Sequence, residues 1–347
     1  MHQSVKPLPK VNCPTEVGLP LQIRVSLGTA IVLGLLSGKL DAAPTTAYLM
    51  TYKLGKCTAN CGFCPQAKGS KSSSEMLSRV SWPTFPTPDV GAALAKAANN
   101  GTIKRVCIQA LNYQNVFAHL EALVKEIKNQ ANVPVSVSCQ PLNKENIELM
   151  RRSGVERLGV ALDAATEAVF NRVKGKQTGG SYSWEGQFDM LTEALAVFGK
   201  GNVSTHVIVG LGETEREAAE ILQRCVDFGV LSALFAFTPV RGTALEDKSP
   251  PALESYRRIQ VARHLIVKGA VRFEGMEFDD EGKLQGFGLT KKKLKSIIES
   301  GEAFQTSGCQ DCNRPFYNEK PSGPTYNYPK KPNIKEIEKI KHQLNAV

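Results

Sequence analysis

The sequence predicts an α/β fold in which parallel strands and covering helices form a partial or complete (β/α) barrel of the TIM type, with an N-terminal helix and a C-terminal extension. Between residues 45 and 290, about seven short apolar strands alternate with segments of helical period, a repeat typical of parallel sheets. The 347 residues are compatible with one such barrel. No GxGxxG motif follows a strand, which disfavours a two-domain dinucleotide-binding fold.

Three regions are predicted along the chain. They are an N-terminal segment with a packing helix at 1–44, the barrel at 45–290 and a C-terminal extension at 291–347. Within the first region, the apolar stretch 21–36 is predicted to be a helix packed on the body of the protein and ended by Gly38. Because this stretch contains Gln22 and Arg24, and the residues before it lack a signal-peptide layout, no membrane partner is expected.

Each barrel strand is predicted from a short apolar run, and each helix from apolar residues at helical spacing. The predicted strands are 47–52, 105–109, 133–139, 157–163, 203–209, 233–237 and 271–273. The predicted helices are 92–98, 116–127, 143–152, 184–198, 215–228, 253–267 and, after the barrel, 334–344. Beyond residue 290 the strand–helix periodicity is lost, and residues 305–333 are rich in Pro, Asn and Tyr.

Composition restricts the partners and the compartment. The chain has 43 basic and 33 acidic residues and a net charge of +10, which favours an acidic partner or an anionic ligand. The lysines are dispersed and no recognised nucleic-acid motif is present, so no nucleic-acid partner is expected. Nine cysteines without a signal peptide indicate a reducing, cytoplasmic compartment, with metal binding or catalysis instead of disulfides.

A short loop after the first barrel strand holds the strongest chemical signal. Cys57, Cys61 and Cys64 are separated by three and by two residues. Three thiolates from one tight loop can hold three corners of a [4Fe–4S] cluster, which normally takes four cysteines, so one iron would stay open for another ligand. A zinc knuckle and three unrelated cysteines are the alternatives, but zinc prefers paired Cys-x2-Cys elements and four closed ligands.

The cysteine spacing, the preceding strand and the aromatic Phe63 before the third cysteine resemble the signature of the radical SAM enzymes. The resemblance implies that S-adenosylmethionine (SAM) chelates the open iron, with Phe63 beside its adenine. It also implies a catalytic role for Cys57, Cys61 and Cys64, because one electron from their cluster cleaves the sulfonium and yields a 5′-deoxyadenosyl radical. An external electron donor is then required.

Residues 45–290 also resemble biotin synthase in the order of the reactive residues at the strand ends. The resemblance implies that Asp163 hydrogen-bonds the SAM ribose, whereas its position before a short helix allows the alternative of an N-cap. Two backbone segments are assigned to SAM by the same resemblance. They are Gln109 and Ala110, which meet the methionyl amino group, and 208–214, which borders the adenine through Ile208 and Gly210.

In biotin synthase, a sulfur-donating [2Fe–2S] cluster is held by three cysteines and an arginine of the barrel strands. The resemblance places Cys107, Cys139 and Arg272 at three of these positions. The fifth strand departs from the pattern, because Ser204 stands where the third thiol is expected. As alternatives, Cys107 and Cys139 are core thiols, and Arg272 pairs with Glu274.

The C-terminal extension carries another cysteine pair, Cys309-x2-Cys312, which is a half-site for an auxiliary iron–sulfur cluster. This pair needs a further ligand. Cys13 is the first candidate, since it precedes the barrel in a segment free to fold over the same rim, and Cys107 and Cys139 are its rivals. A small zinc clip that orders the tail is the other interpretation of the pair.

Together with the likeness to biotin synthase, this tail resembles the archaeal-type, two-protein lipoyl synthases. The resemblance implies a radical SAM sulfurtransferase that adds sulfur to an octanoyl-lysyl group and consumes its auxiliary cluster. It implies as partners the octanoylated lipoyl carrier protein, a second radical SAM subunit and an iron–sulfur cluster supplier. The alternatives are a biotin-synthase-like sulfur insertion into a free small molecule and a non-catalytic iron–sulfur or zinc partner subunit.

Overall fold

A computed structural model describes residues 18–140 and 142–344 of the chain. Its strands are β1 (Gln22–Val25), β2 (Thr46–Thr51), β3 (Met76–Leu77), β4 (Val80–Ser81), β5 (Thr84–Pro86), β6 (Arg105–Gln109), β7 (Val135–Ser138), β8 (Arg157–Gly159), β9 (Val203–Val209), β10 (Leu231–Ala236), β11 (Glu277–Phe278) and β12 (Leu284–Gly286). Its helices are α1 (Leu27–Val32), α2 (Thr87–Asn99), α3 (Val116–Gln130), α4 (Lys144–Arg152), α5 (Glu167–Val173), α6 (Trp184–Phe198), α7 (Glu215–Phe228), α8 (Leu253–Val267), α9 (Lys291–Ser300) and α10 (Ile334–Gln343).

The centre of the molecule is an eight-stranded sheet in the order β10-β9-β8-β7-β6-β2-β1-β5. Strands β2, β6, β7, β8, β9 and β10 pair in parallel, whereas β1 is antiparallel to both β2 and β5. Within the described ranges, β5 and β10 are the edges of this sheet, so the barrel is partial. The prediction of an α/β fold with a barrel-type parallel sheet is therefore confirmed.

The parallel strands are buried because helices cover the outside of the sheet. All six positions of β2 are buried, for example. Helix α7 shows how local sequence sets the connections: a capping box joins Thr214 and Glu217 at its start, and Gly229, with a φ of 83°, ends it. In the part of the chain that the structure describes, no helix has the length and apolar character needed to cross a membrane.

The N-terminal region corrects the prediction of a helix at 21–36. Gln22–Val25 forms strand β1, and the following helix is confined to Leu27–Val32. Ile23 of β1 pairs with Thr51 of β2 on one side, and the same strand pairs with β5 on the other. Pairing with two neighbouring strands outweighs the apolar helical pattern here, because strand propensity depends strongly on the tertiary surroundings.

The seventh barrel strand, predicted at 271–273, is also corrected. Phe273–Gly275 forms a short 3-10 turn. The Phe273 amide donates a hydrogen bond to the side chain of Gln223 on α7 at 3.0 Å, not to a neighbouring strand. The three-residue segment 271–273, with a charged residue between two apolar ones, was too short to distinguish a strand from a turn packed on a helix.

The C-terminal extension folds back onto the barrel at the N-terminal ends of its strands. Arg105 Nε, at the start of β6, donates to the Gln310 carbonyl at 3.3 Å, and the Thr46 hydroxyl, at the start of β2, donates to the Asp311 carbonyl at 3.4 Å. The cysteine loop follows the opposite, C-terminal end of β2. The part of the tail around Gln310 and Asp311 therefore covers the end of the barrel that lies opposite the cysteine loop, whereas Asn318 accepts a hydrogen bond from the Thr238 hydroxyl, after the C-terminal end of β10, at 2.8 Å.

Candidate active site

The barrel contains a cavity of about 250 Å³ whose wall carries two groups of thiols. Cys57, Cys61 and Cys64 of the cysteine loop form one group, and we call them the loop thiols. Cys107, Cys309 and Cys312 form the other group, which we call the tail-side thiols because two of them come from the C-terminal extension. Between them the wall is largely apolar and aromatic, with Met50, Trp82, Leu111, Phe235 and Tyr317.

Backbone hydrogen bonds hold the cysteine loop in a compact form. The Cys64 amide donates to the Cys61 carbonyl at 3.0 Å, and the Cys57 amide donates to the Gln66 carbonyl at 2.9 Å. The Asn112 amide, after β6, donates to Cys57 Sγ at 3.1 Å. N–H groups directed at sulfur stabilise a thiolate ligand and tune the potential of an iron–sulfur cluster.

Burial controls the protonation of the loop thiols. It raises the pKa of the Cys64 thiol to about 12 and that of Cys61 further still, because a thiolate without a counter-charge is costly in an apolar site. A positively charged iron site supplies that counter-charge, so binding of iron would displace these protons. The donor set therefore fits a cluster: three free, half-buried thiols from one loop that become good ligands once metal arrives.

The thiols that line the cavity in the described part of the chain are not arranged to hold a single metal ion. Among the described residues, no three Cys, His, Asp or Glu side chains converge closely enough to hold one ion. A [4Fe–4S] cluster bonds its thiolates to separate irons, so its ligands stand further apart than those of one ion.

Asp163 lies on the cavity wall between the fourth and fifth parallel strands. Its amide donates to the His206 carbonyl at 2.8 Å, and its own carbonyl accepts the Ile208 amide at 3.1 Å. These bonds hold the residue at a φ of 66°, in the left-handed region. Because Thr166 is the N-cap of α5, the alternative of an N-cap role for Asp163 is not supported.

Lys174 contacts Asp163 from behind the cavity wall and was missed by the sequence analysis. Its side chain is fully buried, and its Nζ lies 2.7 Å from Asp163 Oδ2. No spacing or motif distinguishes this residue from the nearby, exposed Lys176. Only the fold, which brings the end of α5 against the end of β8, identifies it.

The segment after β6, predicted to meet the SAM amino group, lines the cavity at Gln109 and Ala110. The Ala110 amide is already used, since it donates to the Ser138 carbonyl at 2.9 Å. An ammonium group donates hydrogen bonds and needs acceptors, so carbonyl oxygens of this segment are what it could use. Gln109 Nε2 lies 3.2 Å from Cys107 Sγ.

Two of the three residues predicted to lie beside the adenine line the cavity. They are Phe63 and Ile208. Gly210, with a φ of 104°, is not part of the wall; a Cβ at this position would lie 2.7 Å from Pro251. Glu213 folds back to accept the Gly210 amide at 2.6 Å. Gly210 therefore shapes the turn after β9 from outside the cavity.

The tail-side thiols lie at the end of the cavity that the C-terminal extension covers. Cys309 Sγ lies 3.7 Å from Ser136 Oγ of β7, and Cys312 Sγ lies 3.3 Å from the Tyr48 hydroxyl of β2. The pKa of Cys107 is raised mainly by burial and further by the negative charges that Cys309 and Cys312 would carry. All three residues line the same cavity, and Cys107 and Cys312 pack against the same cluster around Tyr48.

Two of the three candidates for a further ligand of the Cys309 and Cys312 pair lie on the cavity wall. Cys107 lines the cavity together with Cys309 and Cys312, and Cys139, the other rival candidate, also lines it, with burial raising its pKa to about 12. Cys13, the first candidate, lies outside the described residues. Ser204, which replaces the third thiol of the biotin synthase pattern, lies on the cavity wall.

A cation that the sequence analysis missed lies beside the tail-side thiols. The Arg314 guanidinium stacks 3.8 Å above the centre of the Phe235 ring, and the Arg314 amide donates to the Tyr48 hydroxyl at 2.9 Å. The ring of Phe235 also contacts His206, at 4.9 Å between ring centres. Burial lowers the pKa of His206 to about 4, so this cavity-facing histidine is neutral at pH 7.

The position of Arg272 does not agree with its predicted role as a cluster ligand inside the barrel. Its side chain is 58% exposed and lies in ion pairs with Asp227 at 2.8 Å and Glu274 at 3.2 Å. It is absent from the cavity wall, because the turn that carries it packs on α7 outside the barrel. The alternative, a pair with Glu274, is the one observed.

Comparisons with known proteins point to one family. The model of the Radical SAM superfamily matches residues 52–225. Biotin synthase of Mycobacterium avium is 25% identical over 231 residues, which cover 65% of this chain and 63% of that protein. The mitochondrial biotin synthase of Arabidopsis thaliana is 27% identical over 237 residues, covering 65% and 58%. The chain therefore matches roughly three fifths of the length of these relatives.

A solved structure agrees on the fold. The FeFe-hydrogenase maturase HydG from Carboxydothermus hydrogenoformans superposes with a TM-score of 0.50 at 15% identity, over 70% of this chain and 55% of that one. At this level of identity the likeness concerns the fold alone.

Proposed function

Because the chain belongs to the radical SAM superfamily, we propose that it is an enzyme that inserts sulfur into an unactivated C–H bond of a free small molecule, in a reaction of the biotin synthase type. The family implies a [4Fe–4S] cluster and SAM as cofactors. The loop thiols would hold the cluster, and cluster and SAM together would supply reductive cleavage of the sulfonium and abstraction of a hydrogen atom, chemistry that no protein acid or base provides.

One observation supports sulfur insertion in particular: the loop thiols and the tail-side thiols line the same cavity. A substrate in this cavity would contact the site of radical formation and a second iron–sulfur site that could donate sulfur. The likeness to biotin synthases points to the same reaction class. An auxiliary cluster consumed as the sulfur source would require an iron–sulfur cluster supplier as a partner, besides the electron donor.

The cavity wall would protect the reaction. Met50, Leu111 and Phe235 exclude water from the space between the two thiol groups, and a dry site strengthens every electrostatic contact inside it. Arg314, which pairs with no carboxylate among the described residues, would offset negative charge on the tail-side thiols. Neutral His206 would offer a hydrogen-bonding group without adding charge.

A second candidate substrate is an octanoyl-lysyl group on a lipoyl carrier protein. The position of Cys309 and Cys312 supports it, because this pair lies in a C-terminal extension outside the part that resembles biotin synthase. Ser204 supports it as well, since the biotin synthase pattern expects a thiol there. With this substrate, the partners would be the octanoylated carrier protein and a second radical SAM subunit.

Anaerobic reconstitution with iron and sulfide tests the proposal. The expected result is two clusters per chain, with 5′-deoxyadenosine released only when dithionite and SAM are both present. Sulfur transfer to dethiobiotin would support the first substrate, and transfer to an octanoyl-lysyl peptide would support the second. A Cys57→Ala variant is the matched control and should release no 5′-deoxyadenosine. Tightly bound zinc, with no cluster and no SAM cleavage, would instead indicate a non-catalytic partner subunit.

A further inference from the structure

Lys174 is a charged side chain in the interior of the protein, beside the cavity but not on its wall. Its ammonium group has three N–H donors, and three acceptors surround it. These are Asp163 Oδ2 at 2.7 Å, Gln140 Oε1 at 3.3 Å and the Ala161 carbonyl. With every donor used, Lys174 has none left for a ligand, so any influence it has on the cavity must pass through its partners.

Burying this ammonium is costly. An ion taken out of water is strongly destabilised unless good partners compensate, and removal of one partner of a buried pair leaves the other charge uncompensated. The rings of Phe170 and Tyr182 lie 5.8 and 5.2 Å from Nζ and add cation–π attraction. A surface lysine would supply the same net charge without this cost. The cost of burying the Lys174 ammonium therefore indicates a role for this residue in the cavity, besides any contribution to the stability of the barrel.

Asp163 is the partner that reaches the ligand. Its backbone is fixed by the hydrogen bonds to β9 and its side chain by Lys174, which occupies Oδ2. No hydrogen bond to Oδ1 is present within the described residues, and Asp163 lines the cavity. Lys174 thus binds Oδ2 of the carboxylate, and Oδ1 is available to accept a hydrogen bond from a donor in the cavity, such as a ligand hydroxyl.

The same segment of chain is tied to the cysteine loop. The Gly62 amide donates to the Val173 carbonyl at 2.7 Å, and Asn60 Nδ2 donates to the Thr178 carbonyl at 2.6 Å. Lys174 lies between these two contacts. The segment 173–178, which carries Lys174, is consequently hydrogen-bonded to the cysteine loop at both of its ends.

We propose that Lys174 is a positioning residue for SAM: it holds the Asp163 carboxylate in the orientation that accepts hydrogen bonds from the ribose hydroxyls while the cysteine loop holds the iron site. This inference requires SAM binding, which the family implies, and is independent of sulfur insertion. Its failure and the failure of the proposed function are therefore distinguishable.

Ligand binding to the reconstituted protein tests the proposal without a measurement of turnover. The probes are S-adenosylhomocysteine, followed by titration calorimetry, and the pair 5′-deoxyadenosine and 2′,5′-dideoxyadenosine. Lys174→Met is expected to weaken S-adenosylhomocysteine binding by about tenfold or more, which corresponds to the loss of one oriented, charge-assisted hydrogen bond. It should also abolish the preference for the probe with the 2′-hydroxyl. Lys176→Met, an exposed neighbour, is the control and should bind as the unmodified chain does.

A double-mutant cycle separates positioning from a purely structural role. If Lys174 acts through Asp163, the variant Asp163→Asn/Lys174→Met should bind no more weakly than Asp163→Asn alone, and Lys174→Arg should restore part of the affinity. The double variant also removes both charges, so it keeps the comparison possible if Lys174→Met alone does not fold. Additive losses, or an unchanged preference for the 2′-hydroxyl in Lys174→Met, would overturn the proposal.

Discussion

Glu319 is a buried acid whose carboxylate is only partly bonded. Its Oε1 accepts the Asn327 amide at 3.3 Å, whereas Oε2 is buried without a partner among the described residues. Burial raises the pKa of Glu319 to about 7, against the opposing effect of the Asn327 hydrogen bond and of nearby arginines. The folded protein therefore keeps a proton on Glu319 at a pH at which the unfolded chain has lost it.

The sign of the resulting pH dependence follows directly. Between pH about 4.5 and about 7 the folded state binds more protons than the unfolded state, so the contribution of Glu319 to stability is present at low pH and is lost as the pH rises. We compare the free energy of unfolding of Glu319→Gln with that of the unmodified chain at each pH. Relative to the unmodified chain, the variant is expected to be more stable at pH 8 than at pH 5 by about 2 to 3 kcal/mol. Denaturant titrations at both pH values measure this; Glu145→Gln, an exposed carboxylate, should show no such gain.

Cys309 and Cys312 are predicted to serve the auxiliary cluster alone. The variant Cys309→Ala/Cys312→Ala should lose the iron and sulfide of one cluster, keep SAM cleavage and lose sulfur insertion, because the loop thiols are untouched. Iron analysis and 5′-deoxyadenosine release measure the two effects separately. Cys225→Ala, which removes a buried thiol of α7 outside the cavity, is the control and should keep both clusters. Loss of SAM cleavage in the pair variant would contradict separate roles.

At the scale of single residues, the sequence predicted what is local and missed what is tertiary. The loop thiols could be identified because their function needs three residues close together in the chain. Lys174 and Arg314 could not, since each acquires its surroundings from segments far away in sequence. The prediction for Arg272 was wrong for a different reason. The segment 271–273 was predicted to be a barrel strand, which would have directed Arg272 into the barrel, but it is a turn on the outside and the side chain is exposed.

Among the elements, β6 is the strand that connects the barrel to the tail. Arg105, at its start, is buried and donates to Ser136 on β7 at 2.9 Å, to Glu156 at 2.9 Å and to the Gln310 carbonyl of the tail at 3.3 Å. One guanidinium thus joins two strands, the connection before β8 and the C-terminal extension. Since Glu156 is 43% exposed, part of this network is screened by water.

We expect Arg105→Met to lower the free energy of unfolding by about 2 to 3 kcal/mol, because it removes the charged donor that Ser136, Glu156 and the Gln310 carbonyl share. The matched control is the adjacent Lys104→Met. Lys104 also reaches the tail, 3.7 Å from Asp311, but its side chain is 54% exposed, so the expected loss is under about 0.5 kcal/mol. Denaturant unfolding of both variants measures the difference. Equal losses would show that the Arg105 network does not stabilise the junction.

The elements also show which sequence patterns determine structure. The parallel strands and their helices were predictable because each is an apolar run bounded by glycine, asparagine or a cap, and the pattern repeats. The segments 21–36 and 271–273 were not: the first precedes the repeat, and the second is its last and shortest predicted strand, with no helix after it to support the assignment. The first became a strand because β2 and β5 offered partners, and the second became a turn because a helix side chain bound its backbone. Short segments at the two ends of a barrel are determined by neighbours that no local pattern describes.

For the whole molecule, the central feature is a partial barrel whose C-terminal extension packs over the N-terminal ends of the strands β2 and β6. The tail is bound to the barrel by scattered contacts, such as the Thr238 hydroxyl to the Asn318 carbonyl at 2.8 Å and the Leu234 amide to Ser307 Oγ at 2.7 Å. A cluster on the tail-side thiols would add a covalent link between β6 and the tail. Cys107 and Cys309 are about 200 residues apart in sequence, and a link that closes so long a loop removes much conformational entropy from the opened state.

Auxiliary-cluster binding should therefore protect the tail from local unfolding. We expect amide hydrogen exchange in residues 305–328 to be at least about tenfold slower in the reconstituted protein than in reconstituted Cys309→Ala/Cys312→Ala, while exchange in the cysteine loop is the same in both. Exchange followed by mass spectrometry measures both regions in one experiment, and the cysteine loop serves as the internal control because its own cluster is present in both proteins. Equal protection of the tail in the two proteins would mean that scattered hydrogen bonds alone hold it on the barrel, and that the tail-side thiols do not form a link across the cavity.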